Sequence, residues 1–214
     1  MFYNVHTHRQ SRGKDVLSIE NRYENFDSDL SGIYVSLGLH PWYLDAGHLE
    51  AQLGILAKNA RRPEVLAVGE CGLDRITDTD WTLQVTAFRK QIALAQHIHK
   101  PVIVHCVKAF NEVLSELKNI SVPVVFHGVN KKWSVVQPVI DAGYFLSFGK
   151  AILSDHEYIL ETFRATPLER VFLETDDAEL DIREIYKSAA RIKNIPEKEI
   201  VLQLEKNFNN VFKQ

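Results

Sequence analysis

The sequence contains little cysteine, with only Cys71 and Cys106 among its 214 residues. Their spacing does not form the Cys-x-x-Cys pairs of a zinc finger or a redox centre. Each lies in an apolar run beside a histidine or an acid, so we expect buried free thiols in a reducing compartment. The sequence also lacks an apolar run of about 18 residues and a charged leader followed by an apolar stretch. These absences predict a cytoplasmic protein that makes no membrane contact.

An excess of positive charge is also missing. Lysine and arginine number 25 against 28 aspartates and glutamates, which gives a formal net charge of -3. Modules held on nucleic acid by phosphate contacts are normally basic, so no stable complex with nucleic acid is expected. A nucleic-acid substrate remains compatible, because bound divalent metals change the local field. Neither a glycine-rich phosphate loop nor a serine nucleophile elbow is present, which excludes the classes that those motifs define.

What the sequence does contain is an alternation of short apolar segments with helical patterns. The apolar segments are continuous and rich in β-branched residues, which is typical of parallel strands covered on both faces. They are residues 2–6, 33–40, 65–70, 101–106, 122–128, 144–149 and 170–175, with a weaker eighth at 15–20. Helical patterns fall at 47–61, 79–99, 109–119, 132–142 and 155–165, and a last helix opens with Pro196.

Strand and helix alternate from residue 33 onward, as they do in parallel α/β folds. About eight strands in about 200 residues predict an α/β fold of the compact (β/α)8-type TIM barrel class. Residues 8–33 leave no room for a full helix on each side of the weak second strand, so the N-terminal portion should be shortened or irregular. Because no linker or repeat interrupts the chain, residues 1–214 are predicted to form a single domain.

Polar side chains recur where these predicted strands end. Six strand ends together supply His6, His8, His40, Glu70, His105, His127 and Asp176. In a parallel barrel the C-terminal strand ends meet on one face, where active sites are built. Imidazoles and carboxylates bind Zn²⁺, Mn²⁺ or similar divalent ions. Adjacent strand ends also space ligands suitably for two metals about 3.5–4 Å apart.

Each of these residues also has a structural interpretation when it is taken alone. A single histidine at a strand end can be a satisfied polar residue, and Glu70 or Asp176 can be a salt-bridged structural acid. Their repeated placement at the same end of successive strands favours the metal site. Glu174, two residues before Asp176, is either a partner of the ligands or an inward-facing structural acid. Lys108 either contacts an anionic substrate or lies solvated at a helix start.

The ordered motifs NVHTH, GLHP, GECGLD, PVIVHC, VVFHG and LETD resemble those of the TatD family of metal-dependent hydrolases over nearly the whole chain. The resemblance implies an amidohydrolase-type (β/α) barrel with two divalent metals (Zn, Mg or Mn) and an activity best known as deoxyribonuclease. The ligands that it implies are His6, His8, Glu70 and Asp176 for one ion and Glu70, His105 and His127 for the other. Glu70 would bridge the two ions, and His40 would contact the substrate phosphate.

Three features depart from the family pattern. Asn4 replaces the usual aspartate of the opening motif, and Val107 stands where the family commonly has an arginine. Lys108 can substitute for that arginine as a point charge, although not as a planar fork. The chain is also shorter than usual, mainly at its front. The ligands are intact, so these departures concern the selection of a substrate more than catalysis.

Three functions follow from this set of residues. The first is a metal-dependent phosphodiesterase acting on DNA or a small phosphodiester, with Asp176 as general base and Glu70 as the other catalytic carboxylate. The second is an amide or ester hydrolase that uses the same metals. The third is a degenerate barrel that binds a metal or a partner without turnover, for which the shortened front and Asn4 are the reasons. The sequence indicates neither the natural substrate nor the oligomeric state.

Overall fold

The structure, a computed structural model, describes residues 1–9 and 13–213. Its eight strands lie in one sheet in which neighbours follow chain order. They are β1 Phe2–Thr7, β2 Val16–Arg22, β3 Tyr34–Leu37, β4 Val65–Asp74, β5 Val102–Val107, β6 Val124–Phe126, β7 Phe145–Phe148 and β8 Val171–Leu173. A parallel bridge between Thr7 and Asp176 also makes the first and last strands neighbours. This order confirms the predicted (β/α)8 fold class.

Among the residues that the structure describes, seven α-helices lie after strands β3 to β8. They are α1 Leu49–Asn59, α2 Trp81–His97, α3 Phe110–Glu116, α4 Trp133–Asp141, α5 Glu157–Ala165, α6 Ile182–Lys193 and α7 Glu197–Phe212. The helical patterns predicted a helix at all of these places except α6. As expected, no helix lies between β1 and β3 in the described part of the chain. Among the same residues no helix is both long and apolar enough to cross a bilayer; the cytoplasmic location stays a prediction.

Contacts divide the chain into two compact units, and the first combines residues 1–20 with the chain from Phe126 onward. In this unit aromatic side chains of α6 and α7 cover β1 and β8. The ring of Tyr3 packs 4.4 Å from that of Phe208, and the backbone N–H of Tyr3 donates to the Tyr186 hydroxyl at 3.0 Å. Phe172 of β8 packs against Phe212 of α7. This packing holds the strands whose ends carry His6, His8 and Asp176.

The second unit comprises Asn21–Val125. Its core joins β3 and β4 to α1 and α2 through buried aliphatic and aromatic side chains, which include Leu37, Leu56, Val65 and Ala87. The buried polar residues of this unit include two glutamines of α2, Gln84 and Gln91, which are both 1% exposed. A polar group buried so deeply is costly unless it is hydrogen-bonded, and both amides bind backbone beside the candidate site.

Candidate metal centre

In the second unit, Glu70, His105 and Asp74 form a chain of buried side chains. Oε1 of Glu70 lies 2.7 Å from Nδ1 of His105, and Oδ2 of Asp74 lies 3.0 Å from Nε2 of the same ring. A neutral imidazole has one N–H and one lone pair. When Nε2 donates to Asp74, the lone pair on Nδ1 faces the side of Glu70. That orientation is the one a metal-ligating histidine needs, with a carboxylate fixing the tautomer.

Glu70 reaches His105 because β4 does not end where the sequence predicted. The strand was expected to end at Glu70, but it continues to Asp74, with a shift of register between Val68 and Cys71. Gly72 has φ +154°, and a Cβ there would lie 1.9 Å from the carbonyl oxygen of His105. Only glycine permits this approach of β4 to β5. The irregular stretch of β4 thereby sets the Glu70 carboxylate beside the imidazole.

Asn21, at the end of β2, fixes Glu70 from a second direction. Its Oδ1 accepts from the backbone N–H of Glu70 at 2.8 Å, and its Nδ2 lies 3.4 Å from Oε2 of the carboxylate. The hydroxyl of Ser36 donates to the same Oδ1 at 3.3 Å. Glu70 is only 3% exposed. A carboxylate so buried keeps its charge only where partners of this kind or a cation stabilise it.

His40 lies beyond the end of β3, which stops at Leu37 rather than at the predicted His40. It caps a short 3-10 helix, Pro41–Tyr43, by accepting the backbone N–H of Trp42 at Nδ1. Because Nδ1 is an acceptor there, Nε2 carries the proton, and it lies 3.1 Å from Oε1 of Glu70. A protonated Nε2 cannot bind a metal but can donate a hydrogen bond, so His40 suits the predicted contact with substrate better than the role of a metal ligand. We name His40, Glu70 and His105 the second cluster.

Asp74 is a residue of the candidate site that sequence reasoning missed. Besides His105, its carboxylate accepts from Nε1 of Trp42 at 2.6 Å and from the backbone N–H of Ile76 at 2.7 Å. Burial raises the pKa of Asp74, but these hydrogen bonds outweigh it and hold the pKa below its usual value. Its signal was present in GECGLD, since Asp74 is four residues after Glu70 and residues of a strand at even spacing share a face.

Strand ends of the first unit bring together His6, His8 and Asp176. The Nε2 atoms of His6 and His8 lie 3.6 and 3.4 Å from Oδ1 of Asp176. The backbone aligns these side chains, because the N–H of Asp176 donates to the carbonyl of His6 and the N–H of His8 donates to the carbonyl of Asp176. Burial raises the pKa of Asp176, but the imidazoles outweigh this and keep its pKa far below the ordinary value.

His127, which follows β6, completes this group. Its ring centroid lies 4.1 Å from that of His6, and ligand atoms of His6, His127 and Asp176 all lie within 4.8 Å of one another. Glu174 is fully buried, and its Oε1 accepts the backbone N–H of Gly128 at 2.7 Å and lies 3.4 Å from Nδ1 of His127. Glu174 is therefore an inward-facing acid that also contacts a candidate ligand. We name His6, His8, His127 and Asp176 the first cluster.

Asn4 contacts Thr175, the residue that precedes Asp176. The Asn4 amide donates to the Thr175 hydroxyl at 2.9 Å and accepts the Thr175 backbone N–H at 3.0 Å. The Thr175 hydroxyl lies 3.0 Å from that of Thr7. Both polar atoms of the amide are thus engaged with the backbone and side chain that support Asp176. Asn4 therefore supports the residue that precedes Asp176.

The donor set fits divalent metal ions. Two ligands about 2.1 Å from an ion in a tetrahedral site lie about 3.4 Å from each other. The contacts of His6 and His8 with Asp176 have this separation, which is longer than a good hydrogen bond. In the second cluster each residue offers a ligand atom within 4.8 Å of the others. Lys108 belongs to neither group: it is exposed after β5, and its contact with substrate stays a prediction.

Parallel strands in chain order, with histidines and carboxylates at their ends, define a metal-dependent hydrolase of the (β/α)-barrel class. Within that class the chain belongs to the family of TatD related DNases, whose sequence model matches residues 4–213. The family that the motifs indicated and the prediction of a metal-dependent hydrolase are both confirmed.

Individual relatives agree with this assignment. The chain is 33% identical over 176 residues to the 3'-5' ssDNA/RNA exonuclease TatD of Klebsiella pneumoniae, an alignment that covers 79% of this chain and 66% of that protein. It is 24% identical to an uncharacterized metal-dependent hydrolase of Buchnera aphidicola, over 92% of this chain and 83% of that one. The solved structure of YJJV, a TatD homolog of Escherichia coli, has the same fold, with a TM-score of 0.84, 22% identity and coverage of 100% and 98%.

Proposed function

We propose that this protein is a phosphodiesterase that hydrolyses nucleic acid with the help of two divalent metal ions (Zn, Mg or Mn). The observation that carries the proposal is the spacing of side chains within two clusters. Within each cluster, imidazoles and carboxylates lie at distances suited to ligands of one ion. The residues that would hold the ions are His6, His8, His127 and Asp176 of the first cluster and Glu70 and His105 of the second. The bridging role of Glu70 and the division of ligands between the ions rest on the family resemblance.

Divalent ions in such a site lower the pKa of water and polarise the phosphoryl oxygen under attack. Asp176 is the general base: its side chain is 33% exposed, so water reaches its carboxylate, and its low pKa keeps that carboxylate ionised. His6 and His8 hold that carboxylate in place. The Nε2 atom of His40 carries a proton and contacts Glu70. This N–H suits a phosphate oxygen of the substrate when that oxygen takes the place of the Glu70 carboxylate as acceptor.

The choice of nucleic acid over other esters is supported by the name of the Klebsiella relative, an exonuclease for single-stranded DNA and RNA. An amide or ester hydrolase is the alternative, because the same ions activate water towards acyl carbon. A panel that compares single-stranded DNA, a small phosphodiester and an acyl substrate distinguishes the two. Turnover of the acyl substrate alone would replace our proposal with the alternative.

Asp176→Asn is the test of the proposed general base. Loss of a general base costs about 10²–10⁴-fold in rate, so we expect a loss of at least a hundredfold in hydrolysis of single-stranded DNA with Mg²⁺ or Mn²⁺. The matched control is Asp177→Asn, because Asp177 is its exposed neighbour and pairs with Lys150. Chelation of the metal should abolish activity in the wild type and the control, and added metal should restore it. Undiminished activity in Asp176→Asn would remove Asp176 from this role.

A further inference from the structure

A cavity of about 340 Å³ in the second unit shares only His40 with the mechanism described above. Its lining consists of Tyr23, Glu24, Leu39, His40, Tyr43 and Gln52, which together we name the aromatic pocket. The volume falls at the small end of the range of about 300–1,000 Å³ that is typical of small-molecule sites. His40 joins the pocket to the second cluster, because the same ring contacts Glu70. A molecule in the pocket would therefore lie beside the candidate metal centre.

The walls of the pocket include a stacked pair of exposed aromatic rings. Tyr23 and Tyr43 lie with ring centroids 4.7 Å apart at an interplanar angle of 27°, and they are 37% and 53% exposed. The ring of His40 lies 5.5 Å from that of Tyr43. A group of large exposed aromatic side chains is unusual on a surface that has no binding role. Flat rings of this kind bind other flat rings by stacking, and every nucleobase has such a face.

The polar groups of the pocket favour a base over a phosphate. None of its six lining residues is a lysine or an arginine, and the Glu24 carboxylate would repel an anion. Glu24 only accepts hydrogen bonds, so it suits the amino group of adenine, cytosine or guanine. The Oε1 atom of Gln52 is buried and has no hydrogen-bond partner among the described residues. Rotation about the terminal bond of Gln52 can present either its oxygen or its amino group to a base.

We propose that the aromatic pocket binds one unpaired nucleobase of the substrate, by stacking on Tyr43 and Tyr23, with a preference for bases that carry an amino group. The proposal deepens the proposed function, on which it rests, by naming the part of the nucleic acid that the protein recognises. Only an unpaired base presents its faces and its edge to such a pocket, so the substrate is single-stranded where it enters. The phosphate beside that base would lie towards His40.

The test measures binding separately from hydrolysis. Fluorescence anisotropy with labelled (dA)5 and (dT)5 is recorded on the full chain in excess chelator, so that nothing is cleaved. Removal of an aromatic stacking partner weakens binding about tenfold for each base, and we expect this loss for Tyr43→Ala. Tyr43→Phe should bind as the wild type does, because the ring remains. Glu24→Gln should reduce the preference for (dA)5 over (dT)5. A glutamine amide can donate as well as accept hydrogen bonds, so it no longer selects bases that carry an amino group.

The matched control is Tyr34→Ala, because Tyr34 is also exposed in this unit but does not line the pocket. Thermal melting of each variant confirms that it is folded. Equal binding by Tyr43→Ala and the wild type, or an equal loss of binding in Tyr34→Ala, would overturn the proposal that the pocket binds a base. Hydrolysis of DNA by the metal-loaded protein would still support the proposed function in that case. Binding that depends on Tyr43 without hydrolysis would support the pocket and reject the function. A wild type that neither binds nor cleaves DNA overturns both.

Discussion

His105 lies between two carboxylates at 2.7 and 3.0 Å, whereas His6 and His8 lie 3.6 and 3.4 Å from Oδ1 of Asp176. The second cluster is thus held by side chains that bind side chains, with Asn21 and Asp74 as its supports. In the first cluster backbone atoms also align the side chains, through the hydrogen bonds that join His6 and His8 to Asp176. The two clusters use the same residue types and differ in what orients them.

This difference has an energetic consequence. Groups that orient a ligand histidine through a carboxylate raise its basicity and fix its tautomer, so their loss changes metal affinity directly. Backbone hydrogen bonds persist when a neighbouring side chain is replaced, so the first cluster should tolerate changes in its surroundings better. Substitution of a supporting side chain should therefore cost more in the second cluster than in the first.

Asp74→Asn should have the largest effect among the supporting residues. The amide keeps the shape of the side chain and an acceptor for His105 and Trp42. It loses the acceptor for the N–H of Ile76 and removes the charge that makes His105 more basic. Loss of such a partner typically weakens metal binding about 10–100-fold, and we expect a loss in this range. Calorimetric titration of the metal-free protein with Mn²⁺ or Zn²⁺ measures it. Asp78→Asn, an exposed change in the loop that follows β4, is the control. Equal metal affinity in Asp74→Asn and wild type would contradict the support by Asp74.

Glu174→Gln is the corresponding change in the first cluster and should cost less. Its contact with Nδ1 of His127 is 3.4 Å, longer than the 3.0 Å between Asp74 and His105, and a glutamine can still accept the N–H of Gly128. We expect metal affinity to fall by less than about tenfold, which corresponds to about 1.4 kcal/mol. The same titration measures it, with the exposed Glu169→Gln as control. A loss as large as that of Asp74→Asn would show that side chains orient both clusters alike.

The candidate ligands could be predicted because their signal is periodic. Strands of a parallel barrel are continuous apolar runs, so a histidine or an acid at the end of such a run is visible without a structure. His6, His105 and His127 were found in this way. The extent of β4 could not be predicted, because it depends on how closely Gly72 approaches the backbone of His105 across the sheet. An apolar run shows where a strand begins more reliably than where an irregular strand ends.

The supporting residues were missed for a different reason. Asn21, Gln84 and Gln91 are single polar residues in ordinary strand and helix patterns, and only burial shows that their amides bind backbone or carboxylate beside the site.

Helix α6 was also missed, although its sequence did carry a signal. Asp181 caps its N-terminus and is followed by buried apolar residues at helical spacing, Ile182, Ile185, Tyr186 and Ala189.

Asn4→Asp should have the smallest effect and is the sharpest test of backbone support in the first cluster. An aspartate can accept the backbone N–H of Thr175, but it cannot donate to the Thr175 hydroxyl as the amide of Asn4 does. The hydroxyl would then donate to the introduced carboxylate in place of Thr7, at a cost of about 1 kcal/mol for one rearranged hydrogen bond. The alignment of Asp176 with His6 is made by backbone atoms and should persist.

We therefore expect a change of only a few fold in metal affinity or in the rate of phosphodiester hydrolysis for this variant. Asn209→Asp on the exposed face of α7 adds the same charge and controls for its general effect. A complete loss of metal in Asn4→Asp would show that Asn4 acts on the ligands directly. It would also show that a side chain, rather than the backbone between β1 and β8, sets the geometry of the first cluster.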